Sequence, residues 1–221
     1  MKNIGLIGCG NIAETYFRAQ EYFNNINFVA CADINLDAAK KTADQYNIIP
    51  LSVDEILNDK NVDIILNLTI PQAHYEISKR ALEANKHVYC EKPMSVKFDD
   101  AKELLNLAKK NSLYIGNAPD TFLGGGGQLT RNLIDNNDIG QVLTGNFIFA
   151  FPGVQDFHPS PESWFQEGGG PVIDMGPYFF TTLVNLLGPV KNIRGRGAKF
   201  FDKREYKAGP KKGETFNVDI P

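Results

Sequence analysis

Over the first 120 residues, short continuous apolar runs alternate with longer amphipathic stretches. The apolar runs predict strands over 2–9, 28–32, 62–68, 88–90 and 113–116. Between them, apolar positions at helical spacing predict helices over 12–22, 36–46, 52–57, 71–85 and 99–111. The helix at 52–57 begins with a capping-box signature, Ser52 followed three residues later by Glu55. The strand runs are continuous rather than alternating, as expected of parallel strands covered on both faces. Strands joined through helices form right-handed βαβ units. The pattern therefore predicts an α/β fold with a doubly wound parallel sheet. Its ligand is expected at the carboxyl ends of the strands.

The texture changes after Ala118. A glycine run at 124–127 precedes a helix pattern over 128–136. Residues 142–151 alternate, as in a strand with one exposed face, and 152–170 are aromatic and rich in Pro and Gly. A helix pattern spans 174–187, antiparallel strands are expected over 190–201 and 214–220, and 203–213 reads as a polar hairpin or loop. We therefore place a first domain at 1–119 and the start of a second at 120–221. The second carries three or four expected strands, fewer than the five or six of an average sheet. It reads as incomplete, cut short by truncation.

Composition adds little. The formal charge of −3 gives no basic surface for nucleic acid. No run reaches the roughly 20 apolar residues of a membrane span, and the N-terminus lacks the pattern of a secretory signal. Three cysteines, without CxxC spacing, read as reduced thiols rather than metal ligands. A soluble, cytoplasmic protein with no metal, no nucleic-acid partner and no membrane partner is expected.

The chemistry begins at Gly8-Cys9-Gly10-Asn11-Ile12-Ala13, between a strand and a helix. This is the G-x-G-x-x-A form of a Rossmann-type dinucleotide loop. Gly8 makes the tight turn, Gly10 admits a pyrophosphate, and Ala13 lets the helix pack on the sheet. The N–H groups around Asn11 and Ile12 would face the phosphates. Asp33 ends the second strand, 23 residues past Gly10. Its carboxylate suits the two ribose hydroxyls of NAD and would repel the 2′-phosphate of NADP. Thr69 follows the third long strand and is expected beside the nicotinamide ribose. His74, early in the next helix, is either a cofactor contact or a helix-surface histidine. Asn117, at the end of the last strand, is placed within reach of the cofactor.

Glu91-Lys92-Pro93 interrupts the strand at 88–90 on the same sheet edge. Pro93 restricts the backbone of Lys92 and so fixes where its ammonium starts. In the second domain, Gly168-Gly169-Gly170-Pro171-Val172-Ile173-Asp174 leads into a helix. Asp174 and Tyr178 are four apart and are expected to share a face of it. Asp174 then either caps that helix alone or caps it and contacts substrate.

Together IGLIGCGNIA, VACADIN, EKPMS, GNAPDTFLGGG and GGGPVIDMGPYFFTTLVNLLGPV resemble, in order, the glucose–fructose oxidoreductase / inositol dehydrogenase (Gfo/Idh/MocA) family. The resemblance implies hydride transfer between NAD and a secondary alcohol or carbonyl of a sugar, inositol or related polyol. It implies a second α/β domain with an open, mostly antiparallel sheet that builds a homo-oligomer, a dimer or tetramer. It places the catalytic lysine at Lys92, the substrate-side aspartate at Asp174 and a nicotinamide-contacting aromatic near Trp164. It puts the cofactor residues at Gly8, Gly10 and Asp33, with Glu91 beside Lys92. Where many members carry a histidine, this chain has Tyr178, a phenol of pKa about 10. Either Lys92 takes the substrate proton itself, or Lys92 and Tyr178 act as one acid–base unit. Two alternatives stand beside this reading. One is an NAD-binding member without turnover. The other is an aldose–aldose oxidoreductase with a tightly held cofactor.

Overall fold

A computed structural model describes residues 1–158 and 160–220. These fall into two units, Met1–Ala118 and a second beginning at Pro119. The first contains β1 (Lys2–Ile7), α1 (Ala13–Ala19), β2 (Ile26–Ala32), α2 (Leu36–Tyr46), β3 (Ile49–Pro50), α3 (Val53–Asn58), β4 (Ile64–Asn67), α4 (Pro71–Glu83), β5 (His87–Cys90), α5 (Phe98–Lys110) and β6 (Ile115–Asn117). The strands form one six-stranded sheet in the order β3-β2-β1-β4-β5-β6. Every pairing is parallel.

The continuous apolar runs are explained by two cores, one on each face of this sheet. Along β1, Leu6 and Ile7 point to opposite faces and are both buried. Along β4, Ile65 and Leu66 do the same. One core joins Ile7, Ile65, Leu82 and Leu104 with α3, α4 and α5. The other gathers Leu6, Leu66, Phe28 and Phe17, whose ring stacks on Tyr46 at 3.9 Å between centroids. The capping box forms as its sequence predicts: Ser52 N–H donates to Glu55 Oε2 at 2.8 Å, and Glu55 N–H to Ser52 Oγ at 3.2 Å. The two-residue edge strand β3 was not anticipated. It contains Pro50 and is too short to show any periodicity.

Register decides what the sheet presents. At its carboxyl edge Ile7 lies opposite Ala32 on one side and Asn67 on the other; Asn67 pairs with Cys90, and Cys90 with Asn117. The residues that follow this row are Gly8, Asp33, Leu68, Glu91 and Ala118. Parallel pairing thus brings five separate stretches of sequence to one edge.

The second unit contains α6 (Gly125–Asp135), α7 (Gly170–Asp174), α8 (Gly176–Leu187), β7 (Lys203–Glu205) and β8 (Thr215–Asn217). Helix α6 starts inside the glycine run, earlier than expected. Arg131 ties it to the end of α8, donating to the carbonyls of Asn185 at 2.8 Å and Leu186 at 2.7 Å. Cations at a helix C-terminus satisfy carbonyls left without helical partners. The helix expected over 174–187 forms as α8, starting two residues later, and a separate short helix, α7, precedes it and ends at Asp174. Pro177 has no N–H and crowds the carbonyl four residues back, so α7 cannot run through it. Asp174 is therefore the last residue of α7, not a cap, and it shares no continuous helix with Tyr178.

The strands expected over 142–151 and 190–201 do not form. Alternation makes a strand only where a neighbour offers a ladder. Here Phe147 and Phe149 instead pack on Phe179 of α8, at 5.9 and 6.0 Å between centroids. Leu143 and Ile148 stay 85% and 87% exposed. The polar stretch at 203–213 does contribute to a hairpin, in which β7 pairs antiparallel with β8. Its Tyr206 hydroxyl donates to Glu162, and Lys211 Nζ lies 3.1 Å from the same carboxylate.

Those contacts hold Glu162 down at about 2, mainly through the Tyr206 hydrogen bond. An unfolded glutamate titrates near 4.3. The contact therefore stabilises the fold above about pH 4.3 and its contribution is lost as pH falls toward 2. Thermal melts should show wild type more stable than Tyr206→Phe at neutral pH. That difference should narrow between about pH 5 and pH 2. A difference independent of pH would assign the Tyr206 effect to packing alone.

Candidate functional site

Gly8 leaves β1 with φ of +104°, a conformation that L side chains rarely adopt. Its N–H donates to Ala32 O at 2.9 Å, tying the turn to β2. A Cβ there would lie 2.6 Å from the backbone carbon and oxygen of Leu68. Around Gly10, by contrast, an added Cβ would meet nothing within 4 Å. The turn is closed beneath Gly8 and open above Gly10, as a loop must be to admit a phosphate to its backbone. A cavity of about 450 Å³ adjoins it, lined by Gly10, Asn11, Glu14, Lys41 and Thr42. Ile12 sits at the start of α1 and is 42% exposed. These residues fit a dinucleotide.

Asp33 is built into the same loop. Oδ2 accepts the Cys9 N–H at 2.7 Å and Oδ1 the Asn35 N–H at 2.7 Å. Each carboxylate oxygen has a further lone pair for a ribose hydroxyl. Asn35 in turn caps α2 through the N–H groups of Asp37 and Ala38. The Cys9 thiol, half-buried beside these groups, is pulled below the usual range by a hydrogen bond from Cys31. Burial pushes the Cys90 thiol up to about 12.

Across the sheet, the ends of β4 and β5 are joined by buried polar groups. Asn67, fully buried, donates through Nδ2 to His74 O and Ser78 Oγ, both at 3.0 Å. Its Oδ1 accepts the Thr69 hydroxyl at 2.7 Å. His74 is 1% exposed and is not a surface histidine. Its Nδ1 lies 2.5 Å from Pro93 O and its Nε2 2.9 Å from Thr69 O.

Glu91 is held at four points. Its N–H donates to Asn67 O at 2.9 Å, and its Oε1 accepts Tyr16 OH at 2.7 Å. Its Oε2 accepts the Lys92 N–H at 2.9 Å. Asn117 Nδ2 donates to both Cys90 O and Glu91 O at 2.9 Å. The Lys92–Pro93 peptide is cis. Tyr16, Asn67 and Ser78 were missed by sequence reasoning. A signal existed for Asn67, a lone amide in the run IILNL, but none for Tyr16, whose helix position says nothing about Glu91.

In the second unit, a cavity of about 490 Å³ is lined by Phe151, Phe157, Trp164, Phe201, Arg204 and Asp174. Trp164 stands in a 3₁₀ turn, Glu162–Phe165, its ring 4.5 Å from that of His158. Asp174 closes α7, and Tyr178 lies in the first turn of α8.

A parallel six-stranded sheet with a glycine turn and an acid on adjacent strand ends defines a dinucleotide-binding α/β protein carrying a second, mixed domain. Comparison with known proteins sharpens this class to a family. A model described as "Oxidoreductase family, NAD-binding Rossmann fold" matches residues 2–117. A second, "GFO/IDH/MocA C-terminal domain", matches residues 128–218. The chain belongs to the GFO/IDH/MocA oxidoreductase family.

Inositol 2-dehydrogenase of Salmonella typhimurium is 31% identical over 146 residues, 63% of this chain and 43% of that protein. D-xylose dehydrogenase of Paenarthrobacter nicotinovorans is 27% identical over 162 residues, 71% of this chain and 42% of that protein. Levoglucosan dehydrogenase, solved with NADH and L-sorbose, shares the fold at TM-score 0.83 and 21% identity, over 100% of this chain and 61% of its own. The chain thus spans less than half the length of these curated relatives.

The expected truncation is nevertheless corrected. Both family domains are represented between residues 2 and 218, the second by a match over residues 128–218. The expectation rested on counting strands, and this domain's matched span is built largely from helices, 3₁₀ turns and packed aromatic segments around one hairpin. No helix among the described residues is long and apolar enough to cross a membrane.

Proposed function

We propose that this chain transfers a hydride between NAD and a secondary alcohol or carbonyl of a sugar, inositol or related polyol. The observation that carries the reading is Lys92 itself. It follows β5 on the sheet edge that also bears the glycine turn and Asp33, and its backbone is fixed by Glu91 on one side. NAD, when bound, supplies the hydride acceptor. Gly8, Gly10, Asn11 and Ile12 would hold its phosphates and Asp33 its adenosine ribose, with Thr69, Glu91 and Asn117 framing the nicotinamide side.

Lys92 takes the hydroxyl proton in oxidation and returns it in reduction. Asp174 accepts hydrogen bonds from substrate hydroxyls. Trp164 and the phenylalanines of the second-unit cavity offer flat apolar faces, which suit the C–H faces of a sugar or inositol ring. Self-association through the second unit belongs to the same reading, and light scattering measures it directly. The unpaired thiols fit a cytoplasmic setting.

The test is NADH formation across a panel that includes myo-inositol and D-xylose. Absence of NADH with every polyol, alongside normal NAD affinity, would leave the alternative of a binding protein without turnover. The acid at residue 33 gives a second check. Hydrogen bonds to a charged group contribute about 1.5–3 kcal/mol, or roughly 10–100-fold in affinity. Asp33→Ala should weaken NAD by that factor and erase the preference over NADP. Unchanged NAD affinity would remove Asp33 from the cofactor site.

A further inference from the structure

We propose that His74 is a positioning residue for Lys92, holding together the two turns that leave β4 and β5. The inference rests on the reading of Lys92 given above. His74 sits in the first turn of α4, where a long side chain points back toward the helix start. Its ring fills the space between the two turns. One nitrogen faces the carbonyl of Thr69 and the other that of Pro93. A carbonyl oxygen only accepts. Whichever nitrogen carries the N–H donates to one of these carbonyls, and the ring spans the gap to the other.

The rest of the strap is already closed. Asn67, at the end of β4, donates to His74 O and so fixes the helical turn that carries the ring. The same residue's carbonyl accepts the Glu91 N–H. Lys92 consequently lies between two anchored neighbours. On one side Glu91 is held at its N–H by Asn67, at its carbonyl by Asn117 and at its carboxylate by Tyr16. On the other, the Pro93 carbonyl oxygen lies 2.5 Å from His74 Nδ1. The Glu91 anchors do not involve His74. Removing the ring therefore frees one side of Lys92 and leaves the other, together with the glycine turn, in place. That predicts displacement of the Lys92 side chain without loss of cofactor binding. A histidine that merely filled core space would move neither selectively.

The test reads Lys92 directly, without a substrate. Lysines are dimethylated with carbon-13 formaldehyde, and the Lys92 methyl signal is assigned by its absence in Lys92→Arg. In His74→Leu that signal should move by more than its linewidth, while the Kd for NAD stays within about threefold of wild type. In His74→Gln, whose amide keeps a donor for one carbonyl, the signal should lie between the two. A Lys92 signal unmoved in His74→Leu overturns the proposal, as does a loss of NAD affinity in step with the shift. Should His74→Leu fail to fold, an unmoved signal in His74→Gln overturns it equally. Failure of the functional reading looks different: Lys92→Ala would then turn over myo-inositol as fast as wild type, whatever the methyl signal does.

Discussion

Lys92→Ala should lower turnover with NAD and a polyol substrate by about 10²–10⁴-fold, the range that a positioned acid–base group contributes. Its Kd for NAD should stay within about threefold of wild type. The reason is spatial. The hydrogen bonds that fix this stretch of backbone use the Glu91 carboxylate and the carbonyls of Glu91 and Pro93, and alanine leaves all of them intact. The groups assigned to the phosphates and ribose lie on the turns after β1 and β2. Lys92→Arg separates charge from proton transfer. A guanidinium keeps the positive charge but does not release its proton near neutral pH. It should be nearly as inactive as alanine. Turnover by Lys92→Ala within tenfold of wild type would reject Lys92 as the proton-handling residue. Full activity in Lys92→Arg would reduce its role to a fixed charge.

The first unit was legible because its signals are local. Continuous apolar runs, helices between them and a Ser-x-x-Glu cap each depend on a few neighbouring residues. Parallel pairing then follows from the order of elements. The second unit was less legible because its signals are conditional. Residues 142–151 alternate like a strand, but alternation cannot show whether a partner ladder exists, and here Phe147 and Phe149 pack on Phe179 instead. Helix α8 was legible to within two residues, but α7, five residues long and starting in the glycine run, is too short to show a period.

At the site, sequence reasoning found the groups that a ligand would touch more readily than those that hold them. Lys92 and Asp33 stand out as charges at strand ends. Tyr16, 75 residues from Glu91, becomes its partner only through the fold. His74 lay between these cases. Its position near the ligand edge was visible, but its burial and its two carbonyl contacts depend on where the turn after β5 passes.

The glycine turn yields the second large effect, as a contrast between two residues of one motif. Gly8→Ala should destabilise the protein strongly. Its φ of +104° disfavours any side chain, a strain of about 1–3 kcal/mol. The added Cβ would also sit 2.6 Å from the Leu68 backbone, and the forced shift costs about 1–3 kcal/mol more. The sum is a large fraction of a typical domain's stability, about 5–15 kcal/mol. Because the clash deforms the glycine turn itself, NAD binding should fall with the melting temperature. Gly10→Ala should do the opposite. Its Cβ meets no protein atom within 4 Å, so the melting temperature should stay close to wild type. That same open space is what a pyrophosphate needs, and a methyl group in it should weaken NAD by tenfold or more, about 1.4 kcal/mol. Denaturation and NAD titration of both variants check the pair. A Gly8→Ala protein as stable as wild type would contradict the tight turn, and a Gly10→Ala protein with undiminished NAD affinity would move the phosphates away from this loop.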